Sequence, residues 1–314
     1  MHLQMIGLAL AIAVTTRLIA GDRSAKAMSV RAGSSYSWRS RWHSTLTAFV
    51  VPPLLLVATA VAVVAMGIST AHPWEGKLSY ALAVGFLAAA IALWAQLVWS
   101  VRNTLAEIRR YPQKPIKIHP ENPDGSDGIA SAPVTGRILD VPAVFSAQVG
   151  LWSSELVVSQ GLLEYLDDEH LAAVLAHESG HAHYRDTFWF FWLGGLRRLT
   201  RWLPHTEALW QELLLFREIR ADGWAVRKVD PLVLAESLMS VITAPLMVDE
   251  AVCAGFSCAA PRSRLAQRVD ALLESDLLQA SDQGTADKGA GRIDWQWVAI
   301  ALSLSPLITI PFHY

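Results

Sequence analysis

The sequence predicts a mainly α, polytopic membrane protein. About four transmembrane helices are expected, with an α+β domain held on the cytoplasmic side between the third and the fourth. Three observations predict this class. Hydrophobic residues make up 53% of the 314 and charged residues 17%, with mean hydropathy +0.31, too apolar for an ordinary soluble chain. The apolar residues collect in four runs that are almost free of charge. The block 102–294 reads instead as short strands, turns and amphipathic helices.

The first run, 3–21, is long enough to span and carries Arg17 near its end. A removed signal peptide is the rival reading, but no basic segment precedes the run and no small-residue cleavage site follows it. It is read as a span with Arg17 snorkelling to the surface. The second run, 44–66, is uncharged, and Pro52-Pro53 should kink it. The third, 78–101, is uncharged and has Trp94 and Trp99 toward one end. Residues 1–101 thus form a three-helix membrane part. The fourth run, 295–312, is near the minimum length, with tryptophans placed for an interface.

Charge in the loops sets the direction. Arg23, Lys26, Arg31, Arg39 and Arg41 lie between the first two runs, against Asp22. Lys77 is the only Lys or Arg between the second and third, and Arg102, Arg109, Arg110, Lys114 and Lys117 follow the third. The positive-inside rule puts the first loop and the block after the third run in the cytoplasm, with both termini outside. The net charge of -2 makes no case for nucleic acid as a partner. Cys253 and Cys258 are too few for a disulfide framework and are read as reduced thiols.

Within the cytoplasmic domain, 102–280, residues 112–136 are rich in Pro, Gly and Asp and read as loop. RILDVPAVFSAQVG and LWSSELVVSQG read as strands, with Ser154–Ser159 as one of them. Leu162–Leu166 and Asp168–Tyr184 read as helix, capped by Asp167 or Asp168. TFWFFWLGGLRRLTRWLP, 187–204, has an apolar front followed by Arg197, Arg198 and Arg201. It reads either as a helix lying on the inner leaflet or as a buried helix with a basic end. A long amphipathic helix over 207–229 follows, then helices near 231–245 and 262–279, and a polar linker over 281–294.

Chemistry concentrates in LAAVLAHESGHAHYRD, from residue 171. Residues four apart lie on nearly one face of a helix, so His177 and His181 can point at one metal ion. Glu178, one residue on, projects to the side and can reach a metal-activated water; this is the arithmetic of the H-E-x-x-H signature. Two polar residues on an exposed face are the plain alternative, but the apolar run before them makes the helix at least half buried. A catalytic zinc takes three protein ligands. Tyr184 and Thr187 stand where a metzincin needs Gly and His, and His183 points away from His181. The better third ligand is Glu218, in REIRAD, with Asp222 one turn on to accept the distal N–H of a ligand histidine. The alternative for Glu218 is a salt bridge with nearby arginines.

H-E-x-x-H followed by E-x-x-A-D resembles the membrane-embedded gluzincin-type peptidases. Three N-terminal spans, a cytoplasmic zinc domain and one further span resemble the BlaR/MecR-type group. The HtpX and CAAX-processing peptidases are more distant likenesses. PAVFSAQVG, SELVVSQGLLEYL and LAAVLAHESGHAHYRD follow the order of the group's core, so the likeness covers roughly 135–230. It implies a zincin-like domain and one Zn2+ per chain held by His177, His181 and Glu218. It also implies Glu178 as general base and acid, Asp222 behind the ligands, and the strand around Glu155–Ser159 as the edge that pairs with substrate. Ser179-Gly180 departs from the usual pattern of a larger residue and a small one. Antibiotic receptors of this type carry an extracellular domain after the last span, so a β-lactam sensor is not expected in this chain. His205 and Tyr184 are candidate oxyanion-stabilising residues.

The expectation is a membrane-anchored zinc endopeptidase acting on a protein or peptide substrate, such as a cytosolic repressor or itself, beside the lipid bilayer. The alternatives are membrane-protein quality control and a catalytically silent scaffold whose metal staples two helices.

Overall fold

A computed structural model describes residues 2–29, 38–68, 73–116, 134–243, 264–273 and 295–312. Among them, three helices come first: α1 (His2–Ser29), α2 (Trp38–Met66) and α3 (Pro73–Ile108). Four strands follow, β1 (Gln113–Ile116), β2 (Val134–Leu139), β3 (Ser146–Val149) and β4 (Glu155–Ser159). Then come α4 (Gln160–Tyr165), α5 (Asp168–His183), α6 (Asp186–Leu199), α7 (Thr206–Ala225), α8 (Pro231–Thr243), α9 (Leu265–Leu273) and α10 (Trp295–Ser303). A 3-10 segment over Ser305–Phe312 ends the described chain. Cys253 and Cys258, residues 117–133 of the 112–136 loop and the linker 281–294 lie outside the described residues.

The chain divides into two compact units. One comprises Met1–Val98, Trp192–Phe216 and Gly289–Tyr314; the other comprises Trp99–Phe191 and Arg217–Lys288. Helices α1, α2 and α3 contain three stretches long and apolar enough to cross a membrane, His2–Asp22, Arg41–Met66 and Pro73–Ile108, the last of which runs past Val98 into the second unit. The fourth apolar run is not one helix. Nine α-helical residues, Trp295–Ser303, give way to the 3-10 segment, and both parts pack along α2. Pro306, which lacks an N–H and disfavours α geometry in the residue before it, accounts for the break.

Arg17 also departs from expectation. It does not snorkel: it is fully buried, and its Nη2 donates to the Phe49 carbonyl at 3.0 Å. The expectation for 187–204 resolves into a two-sided helix. Leu193 and Leu199 of α6 are buried, and Gly195 lies flush against the Trp94 ring, while Trp192 is exposed. Arg197 pairs with Glu207 at 2.7 Å and sits over the Trp210 ring.

The second unit is built on a four-stranded sheet of order β1-β2-β4-β3. β1 and β2 are antiparallel, β2 and β4 parallel, β4 and β3 antiparallel. Two differences from the sequence reading follow. Gln113–Ile116 is strand, not loop, because it pairs with Val134–Arg137. More important, β4 is an interior strand with both edges used; the edge beside it is β3. β4 reads ELVVS, and its consecutive apolar residues Leu156, Val157 and Val158 are all buried, as fits a strand covered on both faces.

Helix α5 lies between the sheet and a helical layer. Leu171, Val174 and Leu175 join Ile116, Leu156, Val158 and Leu162 in one core. Ala173 and Ala176, on the other side, join Ala225, Leu234, Leu238 and Leu272 of α7, α8 and α9. Burial on two faces is why LAAVLA shows no polar stripe.

Candidate metal centre

The residues that carry chemistry are placed by the two ends of α5 and its contact with α7. At the start, Asp167 caps the helix and accepts the His170 N–H at 2.9 Å. Midway, Gly180 lets α7 approach: a Cβ there would meet Ala221 Cα at 3.1 Å and Trp224 Cβ at 3.2 Å. That explains the Ser-Gly departure. Gly180 is the close-contact point, and Ser179 Oγ ties the same two helices by accepting from Trp224 Nε1 at 3.0 Å. At the end, Arg185 adopts the left-handed region (φ 55) and turns the chain, so that Asp186 opens α6 beside His181.

His177, His181 and Glu218 come together, with one ligand atom from each lying within 4.8 Å of the others. The two Nε2 atoms are 3.1 Å apart. Glu218 Oε2 lies 3.4 Å from His177 Nε2, and Oε1 lies 3.7 Å from His181 Nε2. Ligands about 2.0–2.2 Å from a tetrahedral zinc stand roughly 3.3–3.5 Å from one another; these separations, taken to the two different Glu218 oxygens, are of that order, so the group could hold a metal ion. The donor set, two imidazoles and a carboxylate, suits zinc as well.

Each imidazole is held from behind by a buried carboxylate. His177 Nδ1 is 2.8 Å from Asp222 Oδ1, an ion-pair distance without a well-aligned hydrogen bond. His181 Nδ1 is 2.8 Å from Asp186 Oδ2. Protons placed on both Nδ1 atoms leave both Nε2 lone pairs for a metal. Asp186 in turn accepts from Arg220, whose guanidinium covers the Tyr184 ring. Glu178 Oε1 accepts from Ser146 Oγ of β3 at 2.9 Å, while its Oε2 is buried with no partner among the described residues. A buried, unpaired carboxylate oxygen is costly, and a polar group brought in with a metal would relieve it.

Positive charge offsets the acids. Arg268 of α9 holds Asp222 with two bonds, at 2.8 and 2.7 Å, and its Nη1 lies 3.4 Å from Glu218 Oε2. Arg217 lies 2.8 Å from Glu218 Oε1. Burial by itself would raise the Glu218 carboxyl, but Arg217, His181, His177 and Arg268 outweigh it and hold it well below the usual range. Asp222 is likewise lowered: Arg268 and His177 overcome the effect of burial. Burial alone would lower His177, yet Asp222, aided by Glu218, raises the metal-free imidazole to about 9.

All five residues singled out from the sequence, His177, Glu178, His181, Glu218 and Asp222, lie in the second unit. Asp186, Arg268, Arg217 and Ser146 were not singled out. Asp186 carried a usable signal, a carboxylate one turn past His181 at a helix start. Arg268, fifty residues beyond Glu218, carried none, because only the tertiary fold brings α9 to α7. His183 stacks on Trp224 with centroids 3.8 Å apart, away from the ligands. His205 belongs to the first unit and packs on Gly21.

An H-E-x-x-H helix, a distant carboxylate and a small mixed sheet define the class of metallopeptidases. Consistent with that, the family model for peptidase family M48 matches residues 142–218, about a quarter of the chain, from the approach to β3 through Glu218. The match supports a metallopeptidase, a hydrolase of peptide bonds. Asp222 and Arg268 lie beyond it. Among curated proteins and among solved structures, nothing matches the chain.

Proposed function

We propose that this protein is a membrane-anchored zinc endopeptidase whose site faces the cytoplasm. The observation that carries the reading is the His177–His181–Glu218 triangle, with each histidine backed by its own carboxylate and Glu178 next to His177 in the chain. Zinc bound there would supply a Lewis acid for a peptide carbonyl and a lower pKa for water. The chain's own residues do the rest. Ser146 holds Glu178 Oε1 and leaves Oε2 to take a proton from the attacking water and return it to the leaving amine. Asp222 and Asp186 fix the imidazole tautomers. Arg217 and Arg268 keep Glu218 ionised.

Substrate would enter as an extended backbone along β3, since β4 is fully paired. The residues of β3 bring substrate past Ser146, and hence past Glu178. Membrane anchoring rests on the three long apolar helices, and the cytoplasmic side on the excess of Lys and Arg flanking them. The likeness to the BlaR/MecR-type group favours regulatory cleavage of a cytosolic repressor or of the chain itself.

The test uses detergent-purified protein, unfolded casein as substrate and a zinc chelator. Cleavage that stops on chelation and returns with stoichiometric zinc is the expected result. Zinc uptake with no cleavage of any unfolded or membrane substrate would mark a metal-stapled scaffold instead. Trapping with a Glu178→Gln variant in cells would separate the roles: one or two partners mean regulation, and a broad set of damaged membrane proteins means quality control.

A further inference from the structure

We propose that Arg17 is a positioning residue. It latches the turn between α6 and α7 onto α1 and α2, and so fixes where α7, the helix bearing Glu218, begins. The inference rests on the reading of Glu218 as a zinc ligand.

A guanidinium in an apolar helix long enough to cross a membrane carries a desolvation cost, and such residues persist where they have a specific partner and a task. Arg17 is fully buried. Its partner is created by sequence. In a helix the carbonyl of Phe49 would accept from the N–H four residues on, but residue 53 is proline and has none. Arg17 Nη2 fills that vacant acceptor at 3.0 Å, and its guanidinium lies 4.8 Å from the Phe49 ring centre. The charge in α1 and the proline in α2, each a defect alone, complete one another.

The same Nη2 reaches Thr200 Oγ1 at 3.5 Å. Thr200 follows the last residue of α6, and its carbonyl accepts from Thr206 Oγ1, at the first residue of α7, at 2.9 Å. One turn along α1 from Arg17, Gly21 lies flush against His205, which holds a left-handed backbone (φ 54). Arg17 and Gly21 thus seat both ends of the 200–206 turn on one face of α1. From α2, Phe49 meets Trp210 with centroids 5.9 Å apart, and Arg41 bonds Glu212 at 2.9 Å. The start of α7 is therefore seated on the membrane helices, and α7 runs unbroken from Thr206 to Ala225 through Glu218. Nε and Nη1 of Arg17 have no acceptor among the described residues, so the latch is costly. A residue kept only for packing would be apolar.

The experiment compares full-length wild type, Arg17→Met and Arg17→Lys in lipid nanodiscs. Amide exchange over 200–206 and zinc affinity are read on the same samples. Arg17→Met should stay folded, exchange faster over 200–206 and bind zinc about tenfold more weakly, a common size for coupling at a distance. Arg17→Lys should fall between. If Arg17→Met fails to fold, Pro53→Ala serves: it gives Phe49 its helical donor back and should loosen the same turn with the charge still present. Exchange and zinc affinity unchanged in the variant that folds would overturn the proposal. If wild type binds no zinc, the zinc reading fails by itself, and exchange over 200–206 still decides whether Arg17 is the latch.

Discussion

His177 sits between Asp222 on one ring nitrogen and Glu218 on the other, and that position governs its proton. The metal-free imidazole is raised from 6.5 to about 9. A group raised on folding stabilises fully below its unfolded value, and that stability drains as pH climbs through the folded one. Metal-free protein should therefore lose stability between pH 6.5 and about 9. Zinc takes the proton's place, and proton competition weakens over the same range. The gap in melting temperature between zinc-loaded and chelated protein should widen with rising pH; a gap that narrows would contradict the assignment. Arg268 gives a second prediction. Arg268→Leu leaves Asp222 buried without its two bonds, and breaking a buried pair costs about 3–5 kcal/mol. Zinc affinity should fall about 10–100-fold as well, the usual effect of disturbing the groups behind the ligands. Lysine should not rescue it, because one ammonium cannot replace the two-pronged contact. At this scale His177, Glu178, His181 and Glu218 were legible in the sequence, since helical spacing ties the first three and REIRAD offers a carboxylate. The arginines were not, because their partners lie far along the chain.

Helices α5 and α7 form the element pair on which the centre depends. At Gly180 they approach closely, and α7 bears Glu218 only three residues before Ala221. Alanine at 180 should gain roughly 1 kcal/mol of helix propensity. Its Cβ would nevertheless press on the α7 backbone and move Glu218 from its partners. Gly180→Ala should thus keep helical content and weaken zinc binding, read by competition with a chromophoric chelator; tighter zinc binding would mean the helices part freely. Most elements were legible because local signals agree: Asp167 caps α5, and short apolar runs such as the one in SELVVS make strands. Strand order was not. β4 reads as an edge or an interior strand equally well, and pairing with β2 across intervening chain decides it. The 3-10 ending of the last apolar run follows from Pro306 and Pro311, whose effect on a nominal span is hard to rank against its hydropathy.

For the whole molecule, three helices long and apolar enough to cross a membrane stand in one chain with a segment that matches the model of peptidase family M48. The protein should resist extraction by alkaline carbonate and yield to detergent. A reporter placed in the 281–294 linker should be active only in the cytoplasm; activity outside would reverse the orientation drawn from the Lys and Arg counts. Long apolar helices were legible from the composition together with the apolar runs, whereas the division into two units was not, because the local pattern of 187–204 left two readings open and only packing assigns 192–216 to the first unit. The roles of Glu178 and of the metal are decided by comparing wild type with Glu178→Gln, with zinc content and casein cleavage read on the same purified samples. Equal zinc in both, with cleavage lost by about 10²–10⁴-fold in the variant, is the predicted result. Cleavage undiminished in Glu178→Gln, or no zinc in either protein, would contradict the assignment of base and metal.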